Sequence, residues 1–177
     1  MAGNRRNSLR LHGYDYASTG AYFVTVCTSD RLPLFGKVEE GQVMLARFGT
    51  MVLDSWQRVV ALLPGAELDE FIVMPDHFHA IVWLNVGNTV NKEYHVGAND
   101  YPPFAGQPTD LRSLMRSFKG AVTTAINTAC DTPGRPVWQP GYYDRVIRDE
   151  RELDAAREYV QFNVQKCLMM RETSASR

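Results

Sequence analysis

The sequence is poor in cysteine, and what it has is scattered. Cys27, Cys130 and Cys167 are odd in number and far apart. That excludes a Cys-x-x-Cys zinc site and argues against a disulfide framework, so a reducing cytosol is the expected compartment. Long apolar runs are missing too. None is longer than Ala80 to Leu84, far short of the ~20 residues of a membrane helix. No apolar stretch like that of a secretory signal follows Arg5, Arg6 and Arg10. Neither sign of charge dominates, because the net formal charge is -1. Any contact with nucleic acid must therefore rest on local basic patches. Repeats and low-complexity segments are absent.

What remains is the composition of an ordinary globular domain, 177 residues with 45% hydrophobic and 22% charged. The polar, basic residues 1–20 read as an arm, 21–170 as one domain and 171–177 as a tail. Ala21 to Thr28 is β-branched and aromatic and reads as a strand. Lys37 to Leu45 breaks at Glu40-Gly41, the mark of a hairpin or strand edge. Phe48, Val52, Val59 and Leu63 recur at helical spacing until Pro64-Gly65 ends the run. Leu68 to Met74 and His77 to Leu84 read as strands joined through Pro75-Asp76, where the proline predicts a bend or an edge.

Residues 85–110, rich in Gly, Asn and Pro, form a loop long enough to expect either function or disorder. Beyond it, Leu111, Leu114, Met115, Phe118, Val122 and Ile126 make an apolar helical stripe, with Arg112, Arg116, Lys119 and Thr123 on another face. Val137 to Ile147 reads as irregular and aromatic. Asp149 followed by Glu152 is an N-cap signature for a last helix, with Leu153, Ala156, Val160, Val164 and Cys167 or Leu168 on its buried side. Strands outnumber parallel crossovers, so the expected class is α+β, an antiparallel sheet covered on one face.

His77 and His79 are the most informative residues. Two apart on a strand, they face the same way while Phe78 and Ala80 face the other. Paired neutral imidazoles can hold a divalent metal. The pattern alone fits two ordinarily hydrogen-bonded histidines equally well. A third ligand is sought on the last helix, where Tyr159 and Asn163 are four apart and share a face beside the buried stripe. Asn163 could offer a carbonyl oxygen and Tyr159 a phenol. A tyrosine at the core edge with a solvated asparagine is the simpler reading of that pair.

Together the four suit one reaction class. A phenol with a pKa of ~10 is a poor nucleophile at neutral pH. A divalent cation on neutral ligands keeps its full charge, polarises a phosphate oxygen and favours phenolate nearby. The product would be a phosphotyrosine ester that a later hydroxyl can reopen. Hydrolysis needs a general base instead, for which Asp76 is the weak candidate.

Here the chain resembles a known family. His77-Phe78-His79 is similar to the His-hydrophobic-His motif of single-tyrosine HUH transposases, and among them to the REP-associated tyrosine transposases. The resemblance covers most of the chain. It runs through Gly13 to Tyr16, Gly20 to Thr25, Phe71 to His79, Ser113 to Asn127, and Val137 to Glu150 leading into Glu158-Tyr159.

The resemblance implies a ferredoxin-like (RRM-like) antiparallel sheet, with helices packed on one face and a C-terminal helix carrying the nucleophile. It implies Mg²⁺ or Mn²⁺, cleavage and transfer of single-stranded or hairpin DNA, and action as monomer or homodimer. By motif matching, His77 and His79 correspond to metal ligands, Asn163 to the third ligand and Tyr159 to the nucleophile. Tyr142 and Tyr143 are rivals by residue type alone, but they follow Pro140-Gly141 in a segment where a strand edge or DNA contact is expected rather than catalysis. Where the family has Asn-Pro this chain has Asn163-Val164, which leads us to expect the helix to continue there. Two imidazoles suit manganese as well as oxygen-loving magnesium.

For DNA contact the expected groups are Arg112, Arg116 and Lys119, with Arg5, Arg6 and Arg10 on the arm. The aromatics Trp138, Tyr142 and Tyr143 are placed either to stack bases or in the core. Two rival functions stay open: a non-catalytic hairpin-DNA or RNA-binding module on the same fold, and a metal-dependent phosphoesterase without a protein-linked intermediate.

Overall fold

A computed structural model describes residues 19–85 and 110–165. Most of the arm, nearly all of the 85–110 loop and the tail lie outside them. Strands β1 (Gly20–Cys27), β4 (Ala66–Val73), β5 (His77–Leu84) and β6 (Tyr143–Ile147) form an antiparallel sheet in the order β4-β5-β1-β6. A separate hairpin, β2 (Gly36–Glu39) and β3 (Gln42–Leu45), lies between β1 and helix α1 (Arg47–Leu62). Its turn is Glu40-Gly41, both at positive φ (49° and 77°), as a tight two-residue hairpin turn requires. Helix α2 (Leu111–Cys130) precedes β6, and α3 (Glu150–Gln161) follows it. With the hairpin set aside, the order βαββαβ and the interleaved sheet are ferredoxin-like.

The period of two in β1 and β5 divides the molecule. Tyr22, Val24, Val26, Phe78, Ala80 and Val82 face α1 and α2 and are fully buried. Trp56 of α1, Phe78 of β5 and Phe118 of α2 meet ring to ring, with centroids 4.9–5.2 Å apart, and knit these three elements together. The alternate residues face α3, where Ala21, Ile81, Ile147, Leu153 and Val160 make a second, smaller cluster. Thus α1 and α2 cover one face and α3 the other.

Helix α3 begins where the sequence signals it. The Asp149 carboxylate accepts the Glu152 N–H at 2.8 Å, and the Glu152 carboxylate accepts the Arg148 N–H at 3.2 Å. A β-bulge in β4, where the register shifts between Leu68 and Phe71, places Asp69 under the helix. Its carboxylate takes two bonds from Arg157, Nε at 2.9 Å and Nη2 at 2.7 Å, and one from Trp83 Nε1 at 2.9 Å. These charge-assisted bonds hold Asp69 well below its ordinary pKa, at about 2, with the Arg157 hydrogen bonds the chief cause.

Two expectations are corrected. Residues 143–147, read as part of an irregular stretch with a strand edge near Tyr142-Tyr143, form a regular edge strand β6 paired with β1. Its alternation is masked because Asp144 and Arg145 interrupt the apolar pattern, and only the partner strand defines it. The last helix does not run on regularly through Asn163. It ends at Gln161, Phe162 adopts φ -94° and ψ 10°, and 163–165 form a further helical turn. Among the described residues, no helix is long and apolar enough to cross a membrane. Of the cysteines there, Cys27 is buried and Cys130 exposed, both free thiols.

Candidate active site

The alternation that buries Phe78 and Ala80 turns His77 and His79 toward α3. Their ring centroids are 4.6 Å apart, with the planes at 75°. Antiparallel registry sets Thr25 of β1 opposite His79 and Cys27 opposite His77, and Tyr143 of β6 opposite Thr25. Each imidazole is held through Nδ1. Thr25 Oγ1 lies 2.8 Å from that atom of His79, and Asp76 Oδ1 lies 2.6 Å from that of His77. Arg31 Nη1 reaches the other Asp76 oxygen at 3.4 Å. Both oxygens of the candidate general base are therefore engaged.

His79 is only 5% exposed. Burial, helped by neighbouring His77 and Arg31, lowers its pKa from 6.5 to about 3, so its ring is neutral across the physiological range. Phe23 stacks on it, with centroids 5.4 Å apart and planes at 27°. From α3 the ring of Tyr159 meets both edge-on, at 5.3 Å from His79 and 5.8 Å from Phe23. Tyr159 is 39% exposed. One end of its ring thus rests on the aromatic floor while the residue stays open to solvent.

The structure brings His77, His79 and Tyr159 together from a single chain. Asn163 lies one turn beyond Tyr159, past the break at Phe162, and is buried rather than solvated. Among the described residues no three His, Cys, Asp or Glu side chains gather as a metal cage. The two imidazoles nevertheless suit a divalent ion. His79 is neutral, and both rings have Nδ1 engaged, so Nε2 is the nitrogen each would offer to an ion.

The remaining candidates sit elsewhere or act differently. Arg112 and Arg116 are exposed on α2, in the layer on the other side of the sheet from the imidazoles. Lys119, from the same stripe, is half-buried. Its ammonium donates to the Gln139 and Gly141 carbonyls at 2.8 and 2.6 Å, and burial lowers its pKa. It fastens the turn leading into β6. Trp138 is buried among Phe35 and Phe118, and Tyr142 packs half-buried against the same core. Tyr143 is 55% exposed, on the imidazole face. Arg5, Arg6 and Arg10 lie outside the described residues.

Sequence reasoning missed Thr25 and Phe23 and saw Asp76 only as a base. Their contacts depend on cross-strand registry and the turn at Pro75. Only the alternation within β1 hinted that 23 and 25 share a face.

This architecture is that of a solved REP-associated tyrosine transposase bound to a REP hairpin. The two superpose with a TM-score of 0.58 at 21% identity, over 89% of this chain and 74% of that one. No family model matches the chain. An uncharacterized protein of Haemophilus influenzae is 33% identical over 162 residues, spanning 90% of this chain and 88% of its own length. The chain belongs to the family of that Haemophilus protein.

Proposed function

We propose that the protein is a transposase-like enzyme of the REP-associated tyrosine type, which nicks single-stranded DNA beside a hairpin and rejoins it through Tyr159. The observation carrying this reading is the Tyr159 ring set 5.3 Å from His79, itself 4.6 Å from His77. The hairpin-bound structure of the same fold supports DNA as the partner. All three side chains come from one chain, so the chemistry needs no second copy. We infer a reducing cytosol as its compartment, from three cysteines that are odd in number and scattered through the sequence.

His77 and His79 would hold Mg²⁺ or Mn²⁺ through Nε2, with the Asn163 amide oxygen as third protein donor. Such an ion, when bound, supplies Lewis-acid polarisation of a phosphodiester oxygen and favours phenolate over phenol. Tyr159 Oη attacks phosphorus, its proton passing to solvent water, and the Oη–P bond forms as P–O3′ breaks. The 3′ oxygen takes up a proton, and the 5′ phosphate stays on the tyrosine. Phe23 and His79 fix the tyrosine ring from below, limiting the arc that the hydroxyl can sweep. Tyr143, exposed on the same face, offers an unpaired base a stacking surface. Arg112 and Arg116, behind the sheet, suit a more distant stretch of phosphate backbone.

The test is incubation with a hairpin-bearing oligonucleotide and Mn²⁺, followed by a denaturing gel. A protein-linked DNA band is expected from the wild type and none from Tyr159→Phe. An undiminished band in that variant refutes the nucleophile. Tight, metal-independent binding without cleavage would instead favour the binding module. Asp76, with both oxygens engaged, argues against the hydrolytic rival.

A further inference from the structure

A ligating imidazole must present a lone pair at one nitrogen and keep its proton on the other. In His77 and His79 the nitrogen held by the protein is Nδ1 in both cases, but the holders differ in kind. The Asp76 carboxylate, 2.6 Å from His77 Nδ1, can only accept, so the proton of a neutral His77 belongs on Nδ1. The Thr25 hydroxyl, 2.8 Å from His79 Nδ1, can give or take. It fixes how the ring is rotated. Phe23, stacked on that ring, removes the remaining freedom. Arg31, on the outer Asp76 oxygen, keeps the carboxylate turned toward His77 and offsets its charge beside the site.

We propose that Asp76 and Thr25 are positioning residues that ready Nε2 of His77 and His79 before any ion arrives, Asp76 by fixing the tautomer that leaves the His77 Nε2 a lone-pair donor and Thr25 by fixing the rotation of the His79 ring. This deepens the nuclease reading and rests on it. Neither residue touches substrate. Each acts through the imidazole it holds. The cost of metal binding falls because His77 need not shift its proton and His79 need not turn when the ion enters.

The experiment uses the full chain. Nitrogen-15 NMR of the metal-free protein, recorded across a pH series, reads the tautomers directly. His77 is expected with its proton on Nδ1, and Asp76→Ala is expected to move it toward Nε2. Mn²⁺ titration, followed by electron paramagnetic resonance, should show ~10–100-fold weaker binding in Asp76→Ala and in Thr25→Val. Thr25→Ser and Asp76→Asn, which keep the acceptor oxygens, should recover most of it.

A His77 protonated on Nε2 in the wild type overturns the inference and leaves Tyr159 chemistry standing. So does an Asp76→Asn variant as weak as Asp76→Ala, because charge rather than orientation would then be the cause. Wild-type Mn²⁺ affinity in a His77→Ala/His79→Ala double variant refutes the metal reading itself, and with it the use assigned to these two residues.

Discussion

On one face of the sheet, Tyr22, Val24, Val26, Phe78, Ala80 and Val82 are sealed beneath two helices. On the other, the alternate residues Phe23, Thr25 and His77 remain partly open beneath the single twelve-residue helix α3. The same strands carry both sets, one residue out of phase. Because the side-chain period is two, stability and chemistry can be specified on one stretch of chain without sharing a side chain. The open face has only a small apolar cluster, and polar bonds make up the difference in fixing α3. Substitutions on the two faces should therefore fail in different ways.

The largest effect is expected from His79→Ala. Adduct formation should fall by more than the ~100-fold that loss of a supporting residue produces, since on the proposed chemistry a metal ligand itself is removed. The urea midpoint should fall less than in a substitution of the sealed core, because the buried ring takes with it only its stacking on Phe23 and its bond to Thr25. A large drop in that midpoint would break the division between the faces. Trp56→Ala is the converse. Removing a fully buried aromatic at the junction of α1, β5 and α2 should lower stability by about 3–5 kcal/mol in urea titration. The adduct rate per folded molecule should not change.

A smaller effect sharpens the comparison at the fastening of α3. Arg157→Met should reduce stability by about 1–2 kcal/mol at neutral pH, a hydrogen-bonded charge pair discounted for the exposed arginine. The sign with pH follows from the depressed Asp69 pKa, about 2 against an ordinary 3.8. Its contribution is complete above the ordinary value and is lost as pH falls through about 2. Urea titrations between those limits should thus give a shallower acid decline in Arg157→Met than in the wild type. Identical acid limbs would dissociate Asp69 from the helix.

The mildest effect belongs to the far layer. Arg112→Ala and Arg116→Ala should weaken oligonucleotide binding uniformly across sequences, each lowering the salt slope by about one. The cleavage rate at saturating DNA should be unaltered. A salt slope identical to the wild type's would remove these arginines from the DNA path.

Much of the fold was legible in the sequence because each signal was local. The Glu40-Gly41 turn, the stripe of α2, the Asp149 cap and the strand pair around Pro75 all lie within one element or its boundary. The edge strand β6 was legible only as an edge near Tyr142-Tyr143, since the charged residues that follow make sense only beside β1. In the site, the shared face of His77 and His79 follows from strand alternation alone. The approach of Tyr159 depends on how α3 lies over the sheet, and the resemblance supplied the role that spacing left open. Lys119 shows the limit of stripe reading. Helical spacing placed it with Arg112 and Arg116, but the carbonyls of Gln139 and Gly141, some twenty residues away, claim its ammonium.

The bulge in β4 has a reach beyond its own strand. An extra residue between Leu68 and Phe71 suspends the alternation, and two successive acidic groups point at the helix instead of one. Asp69 bonds to Arg157, and Glu70 receives Gln161 at 3.4 Å. These tethers bracket Tyr159, two positions to either side. Gain or loss of that single residue would swing the Tyr159 phenol across the sheet without altering either imidazole, so on the proposed chemistry a change of cleavage position could begin at a remote sheet edge.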